Sequence, residues 1–224
     1  MGERIMMNSR QRDEQETRNA TKVMGWIEHL TRQPDLPIDL DLICHINRLT
    51  LHRTDRDYWA GRIRSEVDWH QPEEWARRRA IVALDERGLG VADEYTGELL
   101  VRFPPDREVG PMVTDLLAWI NSAEAAASHP VIRAALFHQR FTAIHPFRDG
   151  NGRTARALTT LLLWRAGFPA RILILQRVLD EKRDAYIAAL RMADQGNVQG
   201  WVQFFSEAVA DALQAEAHPG SETS

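Results

Sequence analysis

The sequence has one cysteine, Cys44, in 224 residues. A lone thiol cannot close an internal disulfide, so the fold stands without a covalent staple and does not call for an oxidising compartment. Long apolar runs are missing as well. The longest, ALTTLLLW from Ala157 to Trp164, falls far short of the roughly twenty residues that cross a bilayer, so no membrane partner is expected. The N-terminal MGERIMMNSR lacks the apolar centre of a signal peptide, and Met6 stands where a myristoylation signal wants Ser or Thr. The protein is expected in the cytoplasm where it is made; delivery into another cell would need a signal of another kind. No excess of basic residues exists: 28 Lys and Arg face 32 Asp and Glu, a formal net charge of −4, which argues against nucleic acid as a partner. His45, His52, His70 and His138 are scattered and offer no His-x3-His pair on one helix, so they do not read as a metal site. Internal repeats and low-complexity blocks are absent.

What is present is the ordinary balance of a globular protein, 44 % apolar and 27 % charged. Helical period dominates it. Residues 1–35 read as a solvated segment followed by an amphipathic helix that carries Val23, Trp26, Ile27 and Leu30. The main domain is placed at 36–212. It opens with a helix bearing Leu42, Ile43, Ile46 and Leu49, then an irregular loop, then EEWARRRAIVALDERG as a helix that stops near Gly88. The stretch at about 93–104 behaves differently. Thr96-Gly97 is a turn signal, and Glu98, Leu99, Leu100 and Val101 begin a β-prone run that ends at Pro104-Pro105, so a β-hairpin flap is expected. PMVTDLLAWINSAEAA, HPVIRAALFHQRFTAI, RTARALTTLLLWRAG, DEKRDAYIAALRMADQG and GWVQFFSEAVADALQA are helical by period, and 213–224 reads as a disordered tail. The fold class is all-α with one small hairpin.

The most informative stretch is HPFRDGNGRTAR, His145–Arg156. Glycines at 150 and 152 allow backbone N–H groups to converge into an anion nest. The next helix, expected to start at about Arg153, adds N–H donors and a partial positive charge. Arg153 and Arg156, three apart, project from the first turn, where a cation is disfavoured unless an anion sits in front of it. Guanidinium groups bind phosphate bidentately. Asp149 is a hard oxygen ligand suited to Mg2+ shared with phosphates, and His145 is the group in the loop that can act as a general base near neutrality. Phe147, a large apolar ring in a polar loop, is expected to anchor that loop to the core.

These residues fit, at every fixed position, the signature His-x-Phe-x-(Asp/Glu)-Gly-Asn-Gly-Arg-x-x-Arg, and the chain therefore resembles the Fic family. The resemblance extends to HPVIRAALFHQRFTAI before the loop, to GRIR at 61–64 with Val67, to YTGELLVRFPP as the flap, and to Arg183, Tyr186, Leu190, Trp201 and Phe204 in the closing helices. It implies a Fic fold and transfer of AMP from ATP to a Tyr, Ser or Thr hydroxyl of a target protein. His145 would deprotonate that hydroxyl, and Asp149 would hold Mg2+ across the α- and β-phosphates. Gly150, Asn151 and Gly152 would hold those phosphates, Phe147 would belong with this nucleotide-holding loop, Arg153 would contact the phosphates, and Arg156 would reach their β/γ end. Residues 96–101 of the flap would take the target segment as an added strand.

Many Fic proteins also carry an inhibitory Ser/Thr-x-x-x-Glu-Gly/Asn motif. Here Ser9 is followed four later by Asp13 and then by Glu14, and Ser206 by Ala210; neither matches. The isolated chain is thus expected to be free of strong autoinhibition, with control left to a separate antitoxin-like protein or to a degenerate Glu14 or Glu16. Other readings are a de-AMPylating phosphodiesterase, transfer of UMP or phosphocholine, and a non-catalytic nucleotide-binding module. Asp149 and Gly152 argue against the Doc-type phosphotransferase variant of the loop.

Overall fold

The computed structural model describes residues 7–64, 81–83, 89–92 and 99–215. Among them nine α-helices and three strands follow in the order α1 (Ser9–Thr31), α2 (Leu40–Leu51), β1 (Ile81–Ala83), β2 (Leu89–Ala92), β3 (Leu99–Arg102), α3 (Asp106–Ile120), α4 (Ala123–Ala127), α5 (Pro130–Ile144), α6 (Asn151–Arg165), α7 (Leu175–Glu181), α8 (Arg183–Asp194) and α9 (Val198–Gln214). The all-α expectation holds, and no described helix is long and apolar enough to cross a membrane.

The centre of the molecule is α6. Ten of its fifteen residues are buried, so it is enclosed on most sides rather than amphipathic. Its inner threonines are paired locally: Thr159 donates to the Ala155 carbonyl at 2.7 Å and Thr160 to Arg156 at 3.0 Å. Helices α1, α2 and α5 surround it, and α9 packs on α5. Trp201 of α9 is wholly buried and donates its indole N–H to the Ala135 carbonyl at 2.7 Å. Gly167, at φ 88°, stops α6 as expected, with Phe168 N–H returning to the Leu163 carbonyl.

Several element boundaries differ from the sequence reading. α1 begins at Ser9, because Asn8 and Gln11 close a reciprocal capping box. Gln15 and Asn19, buried on its inner face, then donate to the carbonyls of Thr50 and His52 at the end of α2. Ile81–Ala83 is a strand rather than part of a helix. Ile81 and Val82 are β-branched, and β1 pairs antiparallel with β2, which pairs with β3, so the expected hairpin is the outer part of a three-stranded sheet. The other residues of that expected helix, and Thr96, Gly97 and Glu98 of the flap turn, lie outside the described residues. α3 begins at Asp106 and carries Pro111 inside it. α9 continues to Gln214, two residues into the expected tail, and residues 216–224 are also outside the description.

Candidate active site

The segment from His145 to Gly150 joins α5 to α6, and two distant side chains and one adjacent one hold it in place. Arg64, wholly buried, donates to the carbonyls of Ile144 (3.0 Å), His145 (2.7 Å) and Pro104 (2.9 Å), and pairs with Asp106 at 2.7 Å. Asn47 of α2 donates to the Asp149 carbonyl at 2.9 Å and accepts from Gly61 N–H at 2.8 Å. Asn151 turns its side chain back on the loop, accepting from Phe147 N–H at 2.9 Å and donating to the Phe147 carbonyl at 2.6 Å. Its amide therefore shapes the loop from within. Phe147 is wholly buried beside Phe141, so it anchors the loop as expected and lies outside the cavity into which the nucleotide-holding residues open.

α6 begins at Asn151, two residues before the expected start, with Gly150 as its N-cap at φ 78°. A Cβ at Gly150 would meet Asn47 Nδ2 at 2.9 Å. Gly150→Ala is expected to cost about 2–3 kcal/mol, the left-handed backbone and the displaced Asn47 amide acting together. Urea unfolding checks this; a change below about 0.5 kcal/mol would contradict it.

His145, Asp149, Gly150, Asn151, Gly152, Arg153 and Arg156 share one cavity of about 410 Å3. Val101, Phe103, α7 and α8 complete it; Leu179, Ile187 and Leu190 form an apolar wall, and four arginines and three aspartates line the rest. His145 sits in the left-handed region (φ 52°) at the end of α5, its ring stacked on Phe103 at 3.8 Å. Nδ1 lies 3.4 Å from the Thr142 carbonyl. A carbonyl only accepts, so the ring proton belongs on Nδ1, and Nε2 keeps its lone pair. Burial, with the Arg64 cation behind it, pushes the imidazole down to about 3, so it is neutral across the physiological range.

Asp149 sits in the middle of a chain of alternating charges. Arg56 Nη1 lies 2.8 Å from Asp149 Oδ2, and Arg56 Nε lies 3.7 Å from Asp55. Asp55 accepts both 2.6 Å and 3.1 Å bonds from Arg12 of α1. One turn along, Glu16 meets Arg153 at 2.6 Å, and Arg153 Nη2 lies 3.6 Å from Asp149 Oδ1. Sequence reasoning missed Arg56, Asp55 and Arg12, as it did Asn47 and Phe103; nothing local marks them. No cluster of three or more His, Cys, Asp or Glu is found among the described residues. A single carboxylate on the cavity wall suits Mg2+ only when phosphate oxygens and water supply the other positions, which is how Mg2+ is commonly held.

Curated relatives include "Protein adenylyltransferase Fic" of Drosophila ananassae, 40 % identical over 95 residues, which are 42 % of this chain and 18 % of that protein. Another is "Protein adenylyltransferase fic-1" of Caenorhabditis briggsae, 36 % identical over 143 residues, 60 % of this chain and 27 % of that protein. The chain thus spans about a fifth to a quarter of their length. Among solved structures, a Fic domain containing signaling protein from Bacteroides thetaiotaomicron has a TM-score of 0.68 at 23 % identity, over 93 % of this chain and 73 % of that one. Fic-1 (residues 134–508) from C. elegans has a TM-score of 0.66 at 23 % identity, over 94 % and 53 %. The family profile described as "Fic/DOC family" matches residues 37–163, a stretch that holds α2, the sheet, the loop and nearly all of α6, and the chain belongs to that family.

Proposed function

We propose that the chain transfers AMP from ATP to a Tyr, Ser or Thr hydroxyl of a target protein, in a reaction dependent on Mg2+. The observation that carries this is the meeting of a neutral imidazole with a bare Nε2, a helix N-terminus and two arginines on one cavity. The names of the curated relatives support the adenylyl group, and they imply a protein target. The triphosphate lies on the first turn of α6, where the N–H groups of an α-helix have no intrahelical acceptors. Arg153 and Arg156 neutralise its charge, and the adenine packs on the apolar wall of Leu179, Ile187 and Leu190. The acceptor oxygen attacks the α-phosphorus, the bond from that phosphorus to the bridging oxygen breaks, pyrophosphate leaves, and Nε2 of His145 takes the hydroxyl proton. Asp149 is the residue to hold Mg2+, whose bound form neutralises charge on the α- and β-phosphates. β3, at the edge of its sheet and beside the cavity through Val101, is where a target segment pairs as an added strand.

The test is incubation of a cell extract with the protein, Mg2+ and isotope-labelled ATP, followed by mass spectrometry. An added AMP on a defined peptide is the expected result; its absence, with ATP bound all the same, favours the binding module. Release of AMP from a previously modified target would instead indicate the phosphodiesterase.

Glu16 calls for its own prediction. Glu14 is exposed and pairs with Arg10, whereas Glu16 reaches Arg153, the first arginine of the loop. The Glu16–Arg153 pair still reaches water on both sides, and Arg153 also faces Asp149, so loss of Glu16 frees the arginine only in part. Glu16→Gly is therefore expected to tighten ATP binding and raise self-modification by up to about fivefold, and Glu14→Gly to change neither. A hundredfold gain in either variant would reveal strong autoinhibition by α1.

A further inference from the structure

The proposed reaction uses Arg156 but gives no role to the imidazole buried behind it. His138 of α5 is wholly buried, and both ring nitrogens are engaged: Nδ1 lies 3.0 Å from Thr159 Oγ1, and Nε2 lies 2.8 Å from the Tyr186 hydroxyl. A group this buried must be satisfied at both ends or cost stability. Its aromatic neighbours, Trp201 at 5.4 Å and Phe205 at 6.1 Å, would accept a plain apolar ring equally well. Packing alone therefore does not explain an imidazole here.

The proton positions follow from the neighbours. The Thr159 hydroxyl has one proton, and it goes to the Ala155 carbonyl at 2.7 Å. Thr159 can then only accept from His138, so Nδ1 carries a proton. Burial, with the Arg156 cation nearby, pushes His138 down to about 3, so the ring holds that single proton at neutral pH. Nε2 is bare and accepts the Tyr186 O–H. With its proton turned inward, the Tyr186 oxygen offers only lone pairs on its other side. Arg156 lines the same cavity as Tyr186 and is the cation that bears most on its hydroxyl, with Asp180 3.5 Å from the Arg156 Nη2.

We propose that Thr159, His138 and Tyr186 form a one-way hydrogen-bond relay that makes Tyr186 a constant acceptor for Arg156 and aims the remaining N–H groups of that arginine at the outer phosphates. The three act as positioning residues, and the inference rests on the reading of the cavity as a nucleotide site. A flexible arginine that must reach forward from the second turn of α6 needs such an anchor to meet a phosphate in one geometry.

Tyr186→Phe deletes one oxygen and keeps the ring. Calorimetry with ATP and with AMP, both in Mg2+, is expected to show ATP bound about tenfold more weakly and AMP within about twofold. In an Arg156→Ala background, Tyr186→Phe should add less than about twofold, since the relay then has nothing to aim. Thr159→Val should show the same selective loss in weaker form, and Thr159→Ser, which keeps the hydroxyl, should reverse it. Equal losses for ATP and AMP, or a full Tyr186→Phe effect without Arg156, would show a merely structural pair and overturn the relay. Unchanged ATP binding by Tyr186→Phe would overturn the relay alone; failure of the unaltered chain to bind Mg-ATP would remove the nucleotide reading and the relay with it.

Discussion

His145→Ala is expected to lower label transfer by about a hundredfold to ten-thousandfold while leaving ATP affinity within about threefold. The separation follows from what the imidazole touches. Its ring lies against Phe103 and its Nδ1 faces the Thr142 carbonyl, whereas the groups that would hold the triphosphate belong to Asp149, Gly150, Gly152, Arg153 and Arg156. Removing the ring takes away the proton acceptor and leaves the anion site standing. A backbone complication must be met in the same experiment. His145 sits at φ 52°, where alanine costs about 1–2 kcal/mol and asparagine far less. His145→Asn keeps the turn and supplies no base near neutrality, so it should be as inactive as alanine and more stable. Labelled ATP, calorimetry and thermal unfolding on both variants read all three quantities. Transfer within tenfold of the parent in His145→Asn would remove His145 from the chemistry.

The parts of this site that could be read in the sequence are those whose signal is local. The glycines, the acid and the two arginines lie within one dodecamer, and the helix faces of α2, α5 and α9 show in their apolar period. The start of α1 was also local in principle: Asn8 with Gln11 three residues on is a capping signature, hidden in a stretch that looks merely charged. Ile81 and Val82 are misread because two β-prone residues next to a run of arginines carry too little period to decide between strand and helix. The remainder was out of reach for a different reason. Arg56 meets Asp149 across 93 positions, and Asn47 meets it across 102. Polar contacts of that kind have no period: the sequence could not distinguish Arg12 and Arg56 from surface arginines, and Arg64 stood out only through the resemblance carried by GRIR. His138 looked like one of several scattered histidines, and only its placement between Thr159 and Tyr186 separates it from the rest.

Arg64→Ala is expected to be the most damaging single change to the fold, at about 3–5 kcal/mol, because it leaves the buried Asp106 with no ion-pair partner beyond the Arg148 cation and strips donors from three carbonyls. For a chain of this size that corresponds to a fall in melting temperature of about 10 °C or more. Burial already lifts Asp106 above the usual carboxylate range despite the arginine, so the orphaned acid should protonate and recover part of the loss. Arg64→Lys should recover little, since one ammonium cannot meet four acceptors spread over the fork of a guanidinium. The double variant with Asp106→Ala separates the two costs. If the orphan charge dominates, Arg64→Ala should become at least about 1.5 kcal/mol milder once Asp106 is gone; if the carbonyls dominate, the two changes should add. The second outcome would give Arg64 its main task at the catalytic loop, since the Ile144 and His145 carbonyls are the ones that end α5 and turn the chain into the left-handed step. Arg64 would then also bear on catalysis, because its cation helps hold the imidazole low. In a folded Arg64→Ala chain the His145 ring should therefore titrate closer to its ordinary value, and its NMR-monitored protonation, followed from pH 7 downward, should begin at higher pH than in the parent. No difference between the two titrations would confine Arg64 to holding the chain in place.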